Sequence, residues 1–216
     1  MTNKAVIFDM DGLIMDSERV ARLCWQRAAN DMGYHIDDIT FDNMTGANAH
    51  GVSLVLFDAL GADLDYQNLK STASSYIFDY VDNPGIPIKS GFAELMEFIK
   101  ANDIPCALAT STYRQMAIYK LKASDIVDDF DAIICGDQVE KSKPAPDIFL
   151  KAASMLAIDP QDCIVLEDSA NGIKAAKAAG MKAIMIPDLV KPTDEIMALT
   201  DMILTNLKEV IELLSD

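Results

Sequence analysis

Short apolar runs recur along the chain, separated by stretches of helical patterning. The runs cover residues 5–8, 104–109, 132–135, 163–166, 183–186 and 202–204. Continuous apolar runs of this length, bounded by polar or turn residues, suit strands buried on both faces. Helices are expected over about 92–101, 113–123, 146–156, 170–179 and 207–214. Pro146 suits a first helical turn, and Gly180 stands where a left-handed C-terminal cap belongs. Alternation of this kind predicts an α/β fold built on a doubly wound parallel sheet.

One region breaks the rhythm. Between Asp16 and Asp82 no strand pattern is found, while Tyr66, Leu69, Ala73, Tyr76, Ile77 and Tyr80 fall on one helical face. Ser17 suits a helix N-cap and Gly33 a stop. The stretch Asn83-Pro84-Gly85-Ile86-Pro87 reads as a linker. The expected organisation is an α/β core from residues 1–15 and 84–216, with an all-helical cap inserted over 16–83.

Charge narrows the partners. The 216 residues carry 18 basic and 34 acidic side chains, a net charge of −16. Nucleic acid is disfavoured, because a phosphate backbone needs Lys and Arg to replace its counterions. Anionic membrane surfaces are disfavoured on the same ground. No apolar run approaches the roughly 18 residues of a membrane span, and Met1 to Lys4 lead straight into an apolar stretch that ends at Asp9, unlike a signal peptide. Cys24, Cys106, Cys135 and Cys163 have no Cys-x-x-Cys spacing and read as reduced, buried thiols. A cytoplasmic monomer is expected, with neither nucleic acid nor membrane as partner.

Carboxylates are so common that a pair alone carries no signal. Asp supplies 26 of the 34 acids, and at that density about three Asp-x-Asp triplets arise by chance against ordinary usage. The chain has Asp9/Asp11, Asp63/Asp65 and Asp129/Asp131, and only the first ends an apolar strand and precedes a glycine. In a doubly wound sheet, ligands bind beyond the carboxyl ends of the strands. Those ends offer Asp9-Met10-Asp11-Gly12, then Thr110-Ser111-Thr112, then Lys143-Pro144 a few residues past the third strand, and finally Glu167-Asp168-Ser169. Two carboxylates on extended chain two residues apart point the same way. Crowded carboxylates repel by ~4 kcal/mol per pair at 4 Å and an effective dielectric of 20. A hard cation such as Mg²⁺ removes that conflict, whereas the absence of thiolates from the rim disfavours zinc. Thr110, near a helix start, suits a phosphate group, as does the positive charge of Lys143. N-capping and a surface lysine account for these two equally well.

The whole chain resembles the haloacid dehalogenase superfamily, in the branch with a helical cap after the first strand that holds phosphatases and β-phosphoglucomutases. Four motifs carry the resemblance: Phe8-Asp9-Met10-Asp11-Gly12-Leu13, Thr110-Ser111, Lys143-Pro144-Ala145-Pro146-Asp147, and Leu166-Glu167-Asp168-Ser169-Ala170-Asn171-Gly172. The resemblance implies that Asp9 attacks phosphorus to form an aspartyl-phosphate, and that Asp11 protonates the leaving alcohol and later activates water. It implies that Thr110, Ser111 and Lys143 hold phosphoryl oxygens. Mg²⁺ would be bound by Asp9, the Asp11 carbonyl and Asp168, with Glu167 contributing directly or through water. The substrate would be a small phosphorylated metabolite, a sugar phosphate first and a nucleotide second. The alternatives are a β-phosphoglucomutase-type mutase and a phosphate-binding module without catalysis.

In the cap the resemblance thins. Mutase relatives carry a His at the position of Ala21, and often an Arg near Gly46, where this chain reads Asn48-Ala49-His50. Both departures favour a phosphatase. Glu18, Arg19 and His50 are the cap candidates for contacting the leaving group, each with an alternative reading as an exposed helix residue. The tyrosines of the apolar stripe read as cap core rather than a sugar platform.

Overall fold

A computed structural model describes residues 5–45 and 49–215. In chain order its elements are β1 (Ala5–Phe8), α1 (Ser17–Asp31), α2 (Asp38–Met44), α3 (Ala49–Leu60), α4 (Tyr66–Asp82), α5 (Phe92–Ala101), β2 (Cys106–Thr110), α6 (Arg114–Ala123), β3 (Ala132–Cys135), α7 (Asp147–Leu156), β4 (Cys163–Glu167), α8 (Ala170–Ala178), β5 (Lys182–Met185), α9 (Asp194–Leu199), β6 (Met202–Ile203) and α10 (Val210–Ser215). Two compact units result: Ser17–Ile86, and the residues up to Asp16 together with those from Pro87 onward.

The sheet lies in the second of these, in the order β3-β2-β1-β4-β5-β6, and every ladder is parallel. The chain steps outward from β1 to β3, then returns to β4 on the other side of β1. Connections therefore diverge between β1 and β4, which opens a crevice at the carboxyl ends of those two strands. Phe8 is in register with Leu166, and the Asp9 N–H donates to the Leu166 carbonyl at 3.0 Å. Asp9 and Glu167 thus leave the sheet side by side. This is the doubly wound α/β architecture that the alternation of apolar runs and helices predicts.

Every residue of β1, β2 and β4 is buried, because helices cover both faces. Ile7 joins a cluster with Phe149 of α7 and Ile173 of α8. Its neighbour Phe8 faces the other way and meets Phe92 of α5 edge-on at 6.1 Å and Phe130 at 5.9 Å. Burying side chains of this size stabilises by ~1.5–3 kcal/mol each, so the strand that delivers Asp9 is anchored from both sides.

Among the described residues the unit Ser17–Ile86 is all helical. Its core gathers Ala28, Phe41, Leu56, Leu69 and Ala73, with Trp25, Tyr66 and Tyr76 packed against it. The tyrosines at 66 and 76 are therefore packing residues, and Trp25 stacks on Tyr66 at 6.5 Å. Helix α1 passes through Trp25 and stops short of Gly33, whose φ is +81°. Asp37 and Asp65 cap α2 and α4 by accepting from the N–H groups of Thr40 and Asn68.

Within the sheet unit, residues 14–16 and 87–89 run side by side. The Asp16 N–H donates to Pro87 O at 2.9 Å and the Lys89 N–H to Ile14 O at 2.8 Å, around an antiparallel bridge between Met15 and Ile88. Residues 83–85 stay with the helices, since the Gly85 N–H donates to Tyr80 O at 2.8 Å. No helix among the described residues is long and apolar enough to cross a membrane. All four cysteines are free and buried, and burial pushes the thiols of Cys106 and Cys163 up to about 11.

Candidate active site

Asp9, immediately after β1, is buried. Its Oδ1 accepts a hydrogen bond from Lys143 Nζ at 2.5 Å. The same ammonium donates to Glu167 Oε1 at 2.7 Å and to the Ala109 carbonyl at 3.0 Å, so its three protons have three acceptors. Lys143 lies just ahead of α7 and also sits over the ring of Phe149, 4.8 Å from its centroid. One lysine thereby ties together the ends of β1, β2 and β4.

Glu167, the last residue of β4, is wholly buried. While Oε1 faces Lys143, Oε2 accepts from the Asp168 N–H at 3.1 Å, the Ser169 N–H at 3.0 Å and Ser169 Oγ at 2.9 Å. Ser169 also caps α8 by accepting from the Gly172 N–H, which puts the carboxylate at a helix N-terminus where a negative charge is favoured. Two glycines make room for these acids. A Cβ on Gly172 would lie 1.8 Å from Glu167 Cδ, and one on Gly12 would lie 2.2 Å from Asp168 Oδ2. Gly12 also has φ +82°, so the turn after Asp11 demands glycine twice over.

Asp11 is held from the other side of the crevice. Its Oδ2 accepts from Thr112 Oγ1 at 2.6 Å and its Oδ1 from Lys120 Nζ at 2.6 Å. Thr110, at the end of β2, is buried, and its Oγ1 accepts from the Thr112 N–H at 3.1 Å. Ser111 is exposed, and its carbonyl packs where a side chain on Gly136 would otherwise stand.

Electrostatics follow from this packing. Burial pushes the Asp9 carboxyl up to about 7; Lys143 pulls against that shift, and the charges of Glu167 and Asp11 add to it. For Lys143 burial opposes the charge, but Asp9 and Glu167 outweigh it and hold the ammonium above the usual lysine range. Asp9, Glu167 and Asp168 each present a carboxylate oxygen, and the three lie within 4.8 Å of one another. An all-oxygen donor set of this kind fits a divalent hard cation.

The core candidates Asp9, Asp11, Thr110, Ser111, Lys143, Glu167 and Asp168 all stand at the carboxyl ends of β1, β2 and β4 or in the loop that follows β3. The cap candidates lie elsewhere in the chain: Glu18 and Arg19 in the first turn of α1, and His50, exposed, at the start of α3. Gly46 to Asn48 lie outside the described residues. Nothing in the sequence singles out Lys120, and Thr112 stands there only as part of Thr110-Ser111-Thr112. A lysine on the second turn of a helix, 109 positions from its partner, leaves no local signal.

Paired acids, a buried lysine and a threonine at the switch point of a doubly wound sheet, with a helical unit inserted after the first strand, define an enzyme of the phosphatase class. The chain belongs to the haloacid dehalogenase-like hydrolases, a family that matches residues 6–186. It is 33% identical to the phosphorylated carbohydrates phosphatase of Thermotoga maritima, over 84% of this chain and 83% of that protein. It is 34% identical to the β-phosphoglucomutase of Bacillus subtilis, over 84% of this chain and 82% of that protein. Among solved structures, CbbY of Rhodobacter sphaeroides in complex with phosphate aligns with a TM-score of 0.79 at 25% identity, covering 97% of this chain and 96% of the other.

Proposed function

We propose that this protein is a Mg²⁺-dependent phosphatase that hydrolyses small phosphorylated metabolites, sugar phosphates before nucleotides, through an aspartyl-phosphate on Asp9. The observation that carries this reading is Asp9 itself: a buried carboxylate at the β1/β4 switch point, with one oxygen held by Lys143. In the first step an Asp9 oxygen attacks phosphorus, the ester P–O bond breaks, and the departing oxygen takes a proton from Asp11. Water then attacks the aspartyl-phosphate, giving its proton to Asp11, and phosphate leaves with Asp9 restored. Splitting one hard displacement in two is what a carboxylate nucleophile offers. Thr110 and Ser111 bind phosphoryl oxygens, and Lys143 both orients Asp9 and offsets the negative charge that builds up on the transferring group.

Asp9, Asp168 and the Asp11 carbonyl would hold the Mg²⁺, with Glu167, whose oxygens already accept protein hydrogen bonds, acting directly or through water. Bound there, the ion supplies charge stabilisation to the phosphoryl oxygens. The substrate class is supported by the phosphorylated carbohydrates phosphatase, and the free buried thiols support a reducing, cytoplasmic setting.

A mutase is the second reading, favoured by the near-equal identity to β-phosphoglucomutase. Ala21, which stands where mutase relatives carry a His, argues for the phosphatase. The two separate in a panel of sugar phosphates and nucleoside monophosphates, assayed with Mg²⁺ and with EDTA. Mg²⁺-dependent phosphate release from a few sugar phosphates supports the phosphatase. Isomerised sugar phosphate with little free phosphate, dependent on a bisphosphate primer, would establish the mutase. Tight binding without turnover would mark a binding module.

A further inference from the structure

We propose that Lys120, with Thr112 as its companion, is the positioning residue for Asp11. The inference rests on the reading of Asp11 as proton donor and acceptor, and adds the groups that fix where that carboxylate stands. Both Asp11 oxygens are gripped, each at 2.6 Å, and each by a different donor. The two donors come from one segment, the loop after β2 and the second turn of α6, which begins at the phosphate-binding candidate Thr110. The position of Asp11 is thereby tied to the place where the phosphoryl group would sit, across 101 and 109 residues of chain.

Lys120 is unusual for a helix lysine. Such side chains normally carry the ammonium out to water, yet this one is only 11% exposed and ends on Asp11. Burying a lysine is unfavourable unless it is paired, so the geometry is held by that bond. Asp11 sits on a turn next to Gly12 and would otherwise sample several staggered rotamers. A misplacement of about 1 Å at a reacting group can cost ~10²-fold in rate.

The test is leaving-group dependence. An alkyl phosphate needs its departing oxygen protonated, whereas p-nitrophenyl phosphate needs little help. Lys120→Met keeps the stem and removes the bond. Expected is a fall in kcat of about 10–100-fold on a sugar phosphate, short of the ~10²–10⁴-fold that general acid catalysis contributes in full, and of less than about 3-fold on p-nitrophenyl phosphate. KM should hold, and Lys120→Arg should recover most of the loss. Thr112→Val should show the same selectivity, which keeps the test open if Lys120→Met folds poorly. In the double variant Asp11→Asn/Lys120→Met the loss should be no greater than in Asp11→Asn alone. Equal losses on both esters, unchanged turnover, or additive losses in the double variant would overturn the positioning role. Full turnover of the sugar phosphate by Asp11→Asn would instead remove the acid role itself, and the positioning role with it.

Discussion

The Lys143 ammonium stands 2.5 Å from Asp9 Oδ1 and 2.7 Å from Glu167 Oε1. One ammonium thus pairs with two buried acids. Taking away one partner of a buried ion pair leaves an uncompensated charge, at a cost of about 3–5 kcal/mol. Lys143→Met should therefore unfold at markedly lower denaturant, and Asp9→Asn added to it should recover part of the loss. Chemical denaturation of the three variants checks this; full additivity of the two single effects would contradict it.

Gly172 presents the opposite of the usual helix rule. Alanine normally stabilises a helix interior by ~0.5–1 kcal/mol relative to glycine. Here the added methyl would lie 1.8 Å from the Glu167 carboxyl carbon, so Glu167 must leave its bonds to Lys143 and Ser169. Gly172→Ala should destabilise by about 1–3 kcal/mol, as overpacking does, and should weaken the thermal response to Mg²⁺. Equilibrium unfolding with and without the ion measures both.

The acid cluster gives the metal-free protein a pH dependence of defined sign. Burial pushes Asp9 up to about 7, whereas an unfolded aspartate titrates near ~3.9. Between these values the folded chain keeps a proton that the unfolded chain gives up. The stability contributed by that proton is present in full below about pH 4 and is lost as pH rises through about 7. Measured in EDTA, the native protein should therefore lose stability relative to Asp9→Asn over this window. Mg²⁺, which replaces the proton, should raise Tm more at about pH 8 than at about pH 5. A difference that stays flat with pH would remove Asp9 as the titrating group.

Much of the fold was readable because each central strand is a continuous apolar run with helices on both sides. The edges show where that signal ends. The second run suggests a strand over 104–109, yet β2 is Cys106–Thr110, since Thr110 is a polar residue buried at the site and no hydropathy pattern marks it. At the C-terminus the expected helix over 207–214 divides, with Leu207–Glu209 forming a 3-10 turn capped by Asn206 before α10. Aspartates of the two other Asp-x-Asp pairs have structural partners. Asp65 caps a helix, Asp131 accepts from the Cys106 N–H at 2.9 Å, and Asp129 pairs with Lys100. The grip of Lys120 on Asp11 has no signal in the sequence, because it depends on how α6 lies against the loop after β1, which no local pattern encodes.

The central claim is covalent catalysis by Asp9, and trapping tests it most directly. Protein quenched in acid during turnover of a sugar phosphate, then digested and mapped by mass spectrometry, should carry a phosphoryl group on Asp9. Borohydride reduction should convert that residue to homoserine, and Asp9→Asn should show neither the label nor phosphate release. Steady turnover by Asp9→Asn, or a phosphoryl group on another side chain, would contradict the account.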